Sequence, residues 1–206
     1  MPLPTVASPL ASPIDQREPL VLLAGDSLFK DMKTDRLSKN KIKVVNISNG
    51  GDHMWKTEAA IDKFYESLDS KYVVQKVFLS IGTNDIRYVF GRGVDRLKGS
   101  LQRLLRKTRD LFPDAKIYIQ SLLPIKIQDQ WTVRNVMGMN ALIKQCCYEF
   151  KMYYINVFND FLLPSGFRNN RLFDGPVHPT LRAVGLIAKR FINIIHPRRS
   201  FNPEVY

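Results

Sequence analysis

Pro19-Leu20-Val21-Leu22-Leu23-Ala24-Gly25-Asp26-Ser27 is the stretch on which the fold of this chain turns. An uncharged apolar run that ends in a glycine and a short polar turn reads as a buried strand, with a helix starting just beyond it. Open α/β sheets place their chemistry at the carboxyl ends of such strands. Ser27 would hold its hydroxyl near that crevice and its backbone N–H at a helix N-terminus, where developing negative charge is stabilised. Taken alone, the tripeptide Gly25-Asp26-Ser27 more readily reads as a turn followed by a helix N-cap serine, so the flanking sequence has to decide.

Outward from this stretch the same alternation recurs. Lys43-Val44-Val45-Asn46-Ile47-Ser48 reads as a second strand, ending in Asn49-Gly50-Gly51. Lys76-Val77-Phe78-Leu79-Ser80-Ile81 reads as a third, stopping at Gly82-Thr83-Asn84-Asp85, and 116–121 as a fourth, running into Leu122-Leu123-Pro124. A fifth is expected over 152–157. Between them lie apolar residues at helical spacing. They are Leu28, Met32 and Leu37; Ile61, Phe64, Tyr65 and Leu68; Val94, Leu97, Leu101, Leu104 and Leu105; Val136, Met139, Ile143, Cys147 and Phe150; and, last, Leu181, Val184, Ile187, Phe191 and Ile194. This alternation predicts a three-layer α/β domain with a mostly parallel sheet of about five strands and right-handed crossovers. Ser27, Gly50-Gly51, Asn84 and, further along, Asp174 and His178 then fall in loops on one edge of the sheet.

The chain has 206 residues, 45% of them hydrophobic and 24% charged, which suits one globular domain. We expect that domain over 19–197, with a Pro/Ala/Ser-containing arm at 1–18 and a basic tail at 198–206. No apolar run is long enough to cross a bilayer and no signal peptide is recognisable, so an intracellular, reducing setting is expected. Cys146 and Cys147 are adjacent within a helical pattern and read as buried free thiols. The 31 Lys and Arg against 19 Asp and Glu give a net charge of +12. Such a balance favours polyanions, nucleic acid or anionic lipid among them, without identifying one. The basic residues from Arg96 to Arg109 lie on the helix expected after Asn84, where a solvated face is the ordinary reading.

Acyl transfer by a serine needs a nucleophile, a base, a group that orients the base, and donors for the oxyanion. Ser27 can be the nucleophile and its own N–H the first donor. Gly51, or Gly50, can bring a second backbone N–H close because it has no Cβ, and Asn84 can supply a side-chain amide. His178, in Phe173-Asp174-Gly175-Pro176-Val177-His178-Pro179, is the candidate base, with Asp174 to hold its tautomer. Asp160 is a reserve acid. Asp26 and Asp85 are expected to brace their loops through backbone hydrogen bonds.

These blocks resemble the SGNH hydrolases, also called the GDSL esterase/lipase family, over about residues 19 to 195. Gly25-Asp26-Ser27 resembles the first family block, Gly51 the second, Gly82-Thr83-Asn84-Asp85 the third, and Asp174 with His178-Pro179 the last. The resemblance implies a flavodoxin-like α/β/α fold and hydrolysis of carboxylic esters through an acyl-enzyme, without metal or other cofactor. Within the family, the stretch Ile119-Gln120-Ser121-Leu122-Leu123-Pro124, the basic balance and Asn140 resemble the esterase domains carried by retroelement (retrotransposon) and other mobile-element proteins of animals. The chain departs from the family where its aspartate usually stands, three residues before the histidine. That position is Gly175 here, and Asp174 is four before. A bulge at Pro176 could still bring Asp174 to His178; otherwise a Ser-His dyad would rely on a backbone carbonyl.

Arg87 and Arg92 are candidates to line the cleft mouth and attract an anionic substrate, and His53, just past Gly51, to contact substrate. For all three, solvated side chains are the plainer reading. The expected activity is therefore a serine esterase acting on a small or short-chain ester. The alternative is a weakly active or inactive domain of the same fold that binds nucleic acid or anionic membrane through its basic surface.

Overall fold

Strand β1 (Glu18–Gly25) is buried from Leu20 to its end, as a strand covered on both faces must be. The computed structural model that shows this describes residues 16–89, 93–126 and 130–197. β1 pairs in parallel with β2 (Lys43–Asn46) on one side and with β3 (Tyr72–Ser80) on the other, and the sheet continues through β4 (Lys116–Gln120) to β5 (Tyr153–Ile155). The strand order is β2-β1-β3-β4-β5, all parallel. This is the doubly wound order of the flavodoxin-like fold.

Successive side chains of β1 point to opposite faces and so enter two different cores. Leu20, Leu22 and Ala24 pack with Ile61 of α3 (Met54–Glu66), Leu101 and Leu104 of α4 (Lys98–Leu111), and Ile143 of α5 (Gln130–Glu149). Val21 and Leu23 pack on the other face with Phe29 of α1 (Ser27–Lys30), Leu37 of α2 (Thr34–Leu37), and Phe191 of α6 (Leu181–Ile195). Phe191 stands edge-on to Phe29, with ring centroids 5.3 Å apart, and lies 4.5 Å from Phe78 of β3. The three layers expected from the sequence are all present.

Several boundaries differ from the sequence reading. β3 starts at Tyr72 rather than Lys76. Its partner register steps from Leu20↔Val74 to Val21↔Lys76, so Gln75 is an extra, exposed residue bulged from the ladder. That polar bulge hides the first part of the strand from any alternation pattern. The single short helix expected through Leu28, Met32 and Leu37 is two four-residue helices, α1 and α2. The turn of 3₁₀ helix at Val94–Leu97 precedes α4. A further antiparallel pair, β6 (Phe173–Asp174) with β7 (His178–Pro179), was not foreseen.

Residues 1–15 of the expected arm and the tail 198–206 lie outside the described residues, and the arm's last residue, Glu18, is already in β1. Among the described residues no helix is long and apolar enough to cross a membrane. Cys146 and Cys147 are free and buried, and burial pushes the Cys147 thiol up to about 12.

Candidate active site

The end of β1 is locked to the end of β3 before Ser27 is reached. Gly25 has φ +146°, and a Cβ there would stand 2.0 Å from the Ser80 carbonyl oxygen. Only glycine permits that approach. The next residue, Asp26, donates its backbone N–H to the same Ser80 carbonyl at 2.9 Å. Its side chain caps α1 by accepting from the Leu28 N–H at 3.1 Å and accepts from the Ser80 hydroxyl, also at 3.1 Å. Ser80 in turn accepts from the Gln120 amide of β4 at 3.0 Å. A buried polar chain therefore links the ends of β1, β3 and β4 directly beneath Ser27. Asp26 is almost wholly enclosed. Burial outweighs the hydrogen bonds and pushes its carboxyl up to about 6.

Two neighbouring loops are fastened in the same manner. The Asn84 amide donates to the Asp52 backbone carbonyl at 3.0 Å. Since that nitrogen carries two hydrogens, the second remains for another acceptor. Asp85 accepts from the Met54 N–H at 3.2 Å and so caps α3, and burial raises its carboxyl. Gly51 has φ +79° with open space where a side chain would be. Asp26 and Asp85 thus brace their loops as expected.

The fourth loop is the β6–β7 hairpin. Asp174 and His178 are direct cross-strand partners, so their side chains share a face with Cβ atoms about 4.5–5.5 Å apart. The turn between them is made by Gly175 at φ +80°. The extra residue that displaces the aspartate from its usual spacing is accommodated in this turn. Both side chains are exposed. Among the described residues no hydrogen bond joins Ser27 to His178 or His178 to Asp174; in many enzymes such bonds tighten only when substrate binds.

Ser27, Gly50, Gly51, Asn84, Asp174 and His178 line one cleft of about 580 Å³. Leu123, Ile125, Val177 and Leu181 give it apolar surface, and Lys30 and Arg87 stand at its edge. Arg92 lies outside the described residues. His53 does not line the cleft. It occupies the N-cap position of α3, with Nδ1 3.6 Å from the Asp85 carboxylate, because the chain turns into α3 immediately after Gly51. Asp160 is also removed from the site: it forms a two-point ion pair with Arg190 of α6, one contact being 2.6 Å.

Three contributors carry no sequence signal of their own. Ser80 and Gln120 look like ordinary strand residues until the fold brings them under Asp26. Arg168 donates at 2.8 Å to the Gly175 carbonyl and at 2.9 Å to Asn170, with its guanidinium 3.7 Å from the Phe173 ring centroid. The Lys126 N–H donates to the Pro176 carbonyl at 2.8 Å. These two donors hold the turn between Asp174 and His178.

The basic face of α4 is largely engaged within the molecule. Arg103 pairs with Glu58 and Lys107 with Asp62 of α3, while Lys98 pairs with Glu149 of α5. Arg109 donates to the carbonyls of Pro113 and Ala115. A face whose cations already have partners has less to offer a polyanion.

The arrangement has clear relatives. The profile of the GDSL-like lipase/acylhydrolase family matches residues 23–183. Solved structures superpose on most of the chain at low identity. A member of the lipolytic G-D-S-L family from Veillonella parvula is 19% identical with a TM-score of 0.66, over 88% of this chain and 99% of that one. A catalytic mutant of an acetylxylan esterase from Geobacillus stearothermophilus is 18% identical with a TM-score of 0.67, over 88% and 95%. A GDSL-like lipase from Bacteroides thetaiotaomicron is 16% identical with a TM-score of 0.62, over 90% and 92%. No curated protein matches the chain at a significant level. At these identities the structures attest the fold, and the profile, spanning every block from the strand before Ser27 to the start of α6, attests the family. The chain belongs to the GDSL-like lipase/acylhydrolase family and is a carboxylic ester hydrolase of the SGNH type.

Proposed function

We propose that this chain cleaves small, short-chain (acetyl-type) esters by acyl transfer to Ser27. The observation that carries the reading is the convergence of Ser27, Gly51, Asn84, Asp174 and His178, from four separate loops, on one cleft. Ser27 Oγ attacks the ester carbonyl as its proton passes to His178. The carbonyl oxygen becomes an oxyanion, accepted by the N–H groups of Ser27 and Gly51 and by the Asn84 amide. The C–O bond to the alcohol then breaks, and His178 returns the proton to the departing oxygen. Water, deprotonated by His178, attacks the acyl-enzyme; the carboxylic acid leaves and Ser27 regains its proton. Asp174, opposite His178, orients the imidazole, and Arg87 at the cleft edge contacts substrate.

The acetyl preference draws on the acetylxylan esterase among the structural relatives. A role within a mobile-element protein rests on the sequence of 119–124 and on Asn140. Asn140 holds Leu122 through hydrogen bonds of 2.7 and 3.3 Å to its N–H and C=O. The deciding experiment is turnover of p-nitrophenyl acetate by the purified protein beside its Ser27→Ala and His178→Ala variants. Hydrolysis lost in both supports the reading; wild-type rates equal to the Ser27→Ala background reject it.

A further inference from the structure

Beside the catalytic cleft lies a second, apolar groove of about 110 Å³, between α5 and the loop that follows β5. Ile125 lines both, so the two are adjacent, with its side chain between them. The groove walls include Pro124, Val136, Met137, Phe158, Leu162 and Phe167. Phe167 is 69% exposed and Met137 54%. Single exposed apolar side chains need no explanation, but several gathered at the end of a catalytic cleft mark a binding surface.

We infer that this groove takes the alcohol arm of the ester, so that the substrates are short-chain esters of apolar alcohols. The inference rests on Ser27 and His178 acting as proposed above. His178 must protonate the departing alcohol oxygen, which puts the alcohol on the His178 side of Ser27. The groove lies on that side. Its neighbour Lys126 donates from the backbone to Pro176, and Arg168, in the groove wall, donates to Gly175. Of the oxyanion donors, the N–H groups of Ser27 and Gly51 lie at the ends of β1 and β2, away from the groove, while Asn84 follows β3, between them and it. The groove opens beyond β4, two strand spacings or about 10 Å from β1. A short alcohol stays within the cleft, and a longer one passes Ile125 into the groove.

Two ester series measured by pH-stat test this. One fixes the acetyl group and lengthens the alcohol from ethyl through butyl and hexyl to octyl; the other fixes the ethyl group and lengthens the acyl chain to octanoyl. A buried methylene is worth about fourfold, so kcat/KM should rise at least tenfold from ethyl to octyl acetate while the acyl series stays flat or falls. Phe167→Ser and Met137→Ser, both at exposed positions, should each lower the octyl-to-ethyl ratio several-fold. An octyl-to-ethyl ratio near one, a gain along the acyl series instead, or a ratio that Phe167→Ser leaves unmoved would each overturn the inference, the last pointing to a docking surface for another macromolecule. If no ester is cleaved at all, the esterase reading fails separately, and the groove is tested by binding. In the Ser27→Ala protein the Met137 methyl NMR signal should shift with 1-octanol and not with ethanol; no shift would reject the groove as an alcohol site.

Discussion

The two halves of the proposed active site are built differently. On the nucleophile side, Gly25, Asp26, Ser80, Gln120, Asn84 and Asp85 tie three loops to buried backbone and to one another. On the base side, Asp174 and His178 sit exposed on two-residue strands, and their turn is held by the Arg168 guanidinium and the Lys126 N–H. The difference suits the chemistry proposed for each half. Oxyanion donors must be fixed before charge develops, since their value lies in needing no reorganisation. A base that collects and returns a proton can reach its partners as substrate arrives.

If the nucleophile side is preorganised as described, removing its reacting atom should abolish turnover and leave the scaffold intact. Ser27→Ala is expected to lower kcat for p-nitrophenyl acetate by at least about 10³-fold, with thermal unfolding unchanged within a few degrees. Residual activity within tenfold of wild type would move the nucleophile elsewhere.

The buried support beneath Ser27 gives the next largest effect, and it appears in stability. Asp26 has a folded pKa of about 6 against an ordinary value of 3.8. Between those values the folded protein keeps a proton that the unfolded chain releases. Its contribution is therefore fully present below about pH 4 and is lost as the pH rises through 6, a change of about 3 kcal/mol. Asp26→Asn keeps the shape and cannot ionise. In urea unfolding from pH 4 to pH 7, wild type should weaken relative to Asp26→Asn by about 2 kcal/mol. A constant difference across the range would mean that Asp26 does not titrate there.

The contrast between the halves also governs what could be read from the sequence. The strands appeared as apolar runs because both faces of a parallel sheet are covered, and the Ser27, Gly51 and Asn84 loops followed from where those runs stop. Gln75, bulged from β3, broke the pattern and hid four residues of strand. The β6–β7 hairpin has strands too short for any period to show. The spacing from Asp174 to His178 looked anomalous because pairing, and not residue count, sets which side chains face each other. His53 seemed to face the cleft from its nearness to Gly51, yet the chain enters α3 at once and turns it to Asp85. Ser80, Gln120 and Arg168 touch residues 54, 40 and seven positions away; only the folded chain makes such contacts visible.

On the base side, effects should be graded and not absolute. Where an orienting aspartate is buried against its histidine, loss of its charge costs about 10⁴-fold. Asp174 is exposed and not hydrogen-bonded to His178, so Asp174→Asn should cost about 10- to 100-fold in kcat. An unchanged rate would reduce the site to a Ser-His dyad.

Arg168 offers the finest division between the halves, because it touches neither nucleophile nor base. Its two donated bonds to Gly175 and Asn170, made while the guanidinium lies on Phe173, need a planar fork that lysine lacks. Arg168→Ala and Arg168→Lys should therefore both lower kcat, by about tenfold, through a loosened His178 position. KM for ethyl acetate, which is too short to reach the groove that Arg168 also borders, should change less than twofold. A purely structural role would leave kcat intact once folding is allowed for, and a purely electrostatic one would be rescued by lysine. Equal loss in the two variants, without loss of folded protein, is the signature of a side chain that sets the angle of the hairpin and so the reach of its histidine.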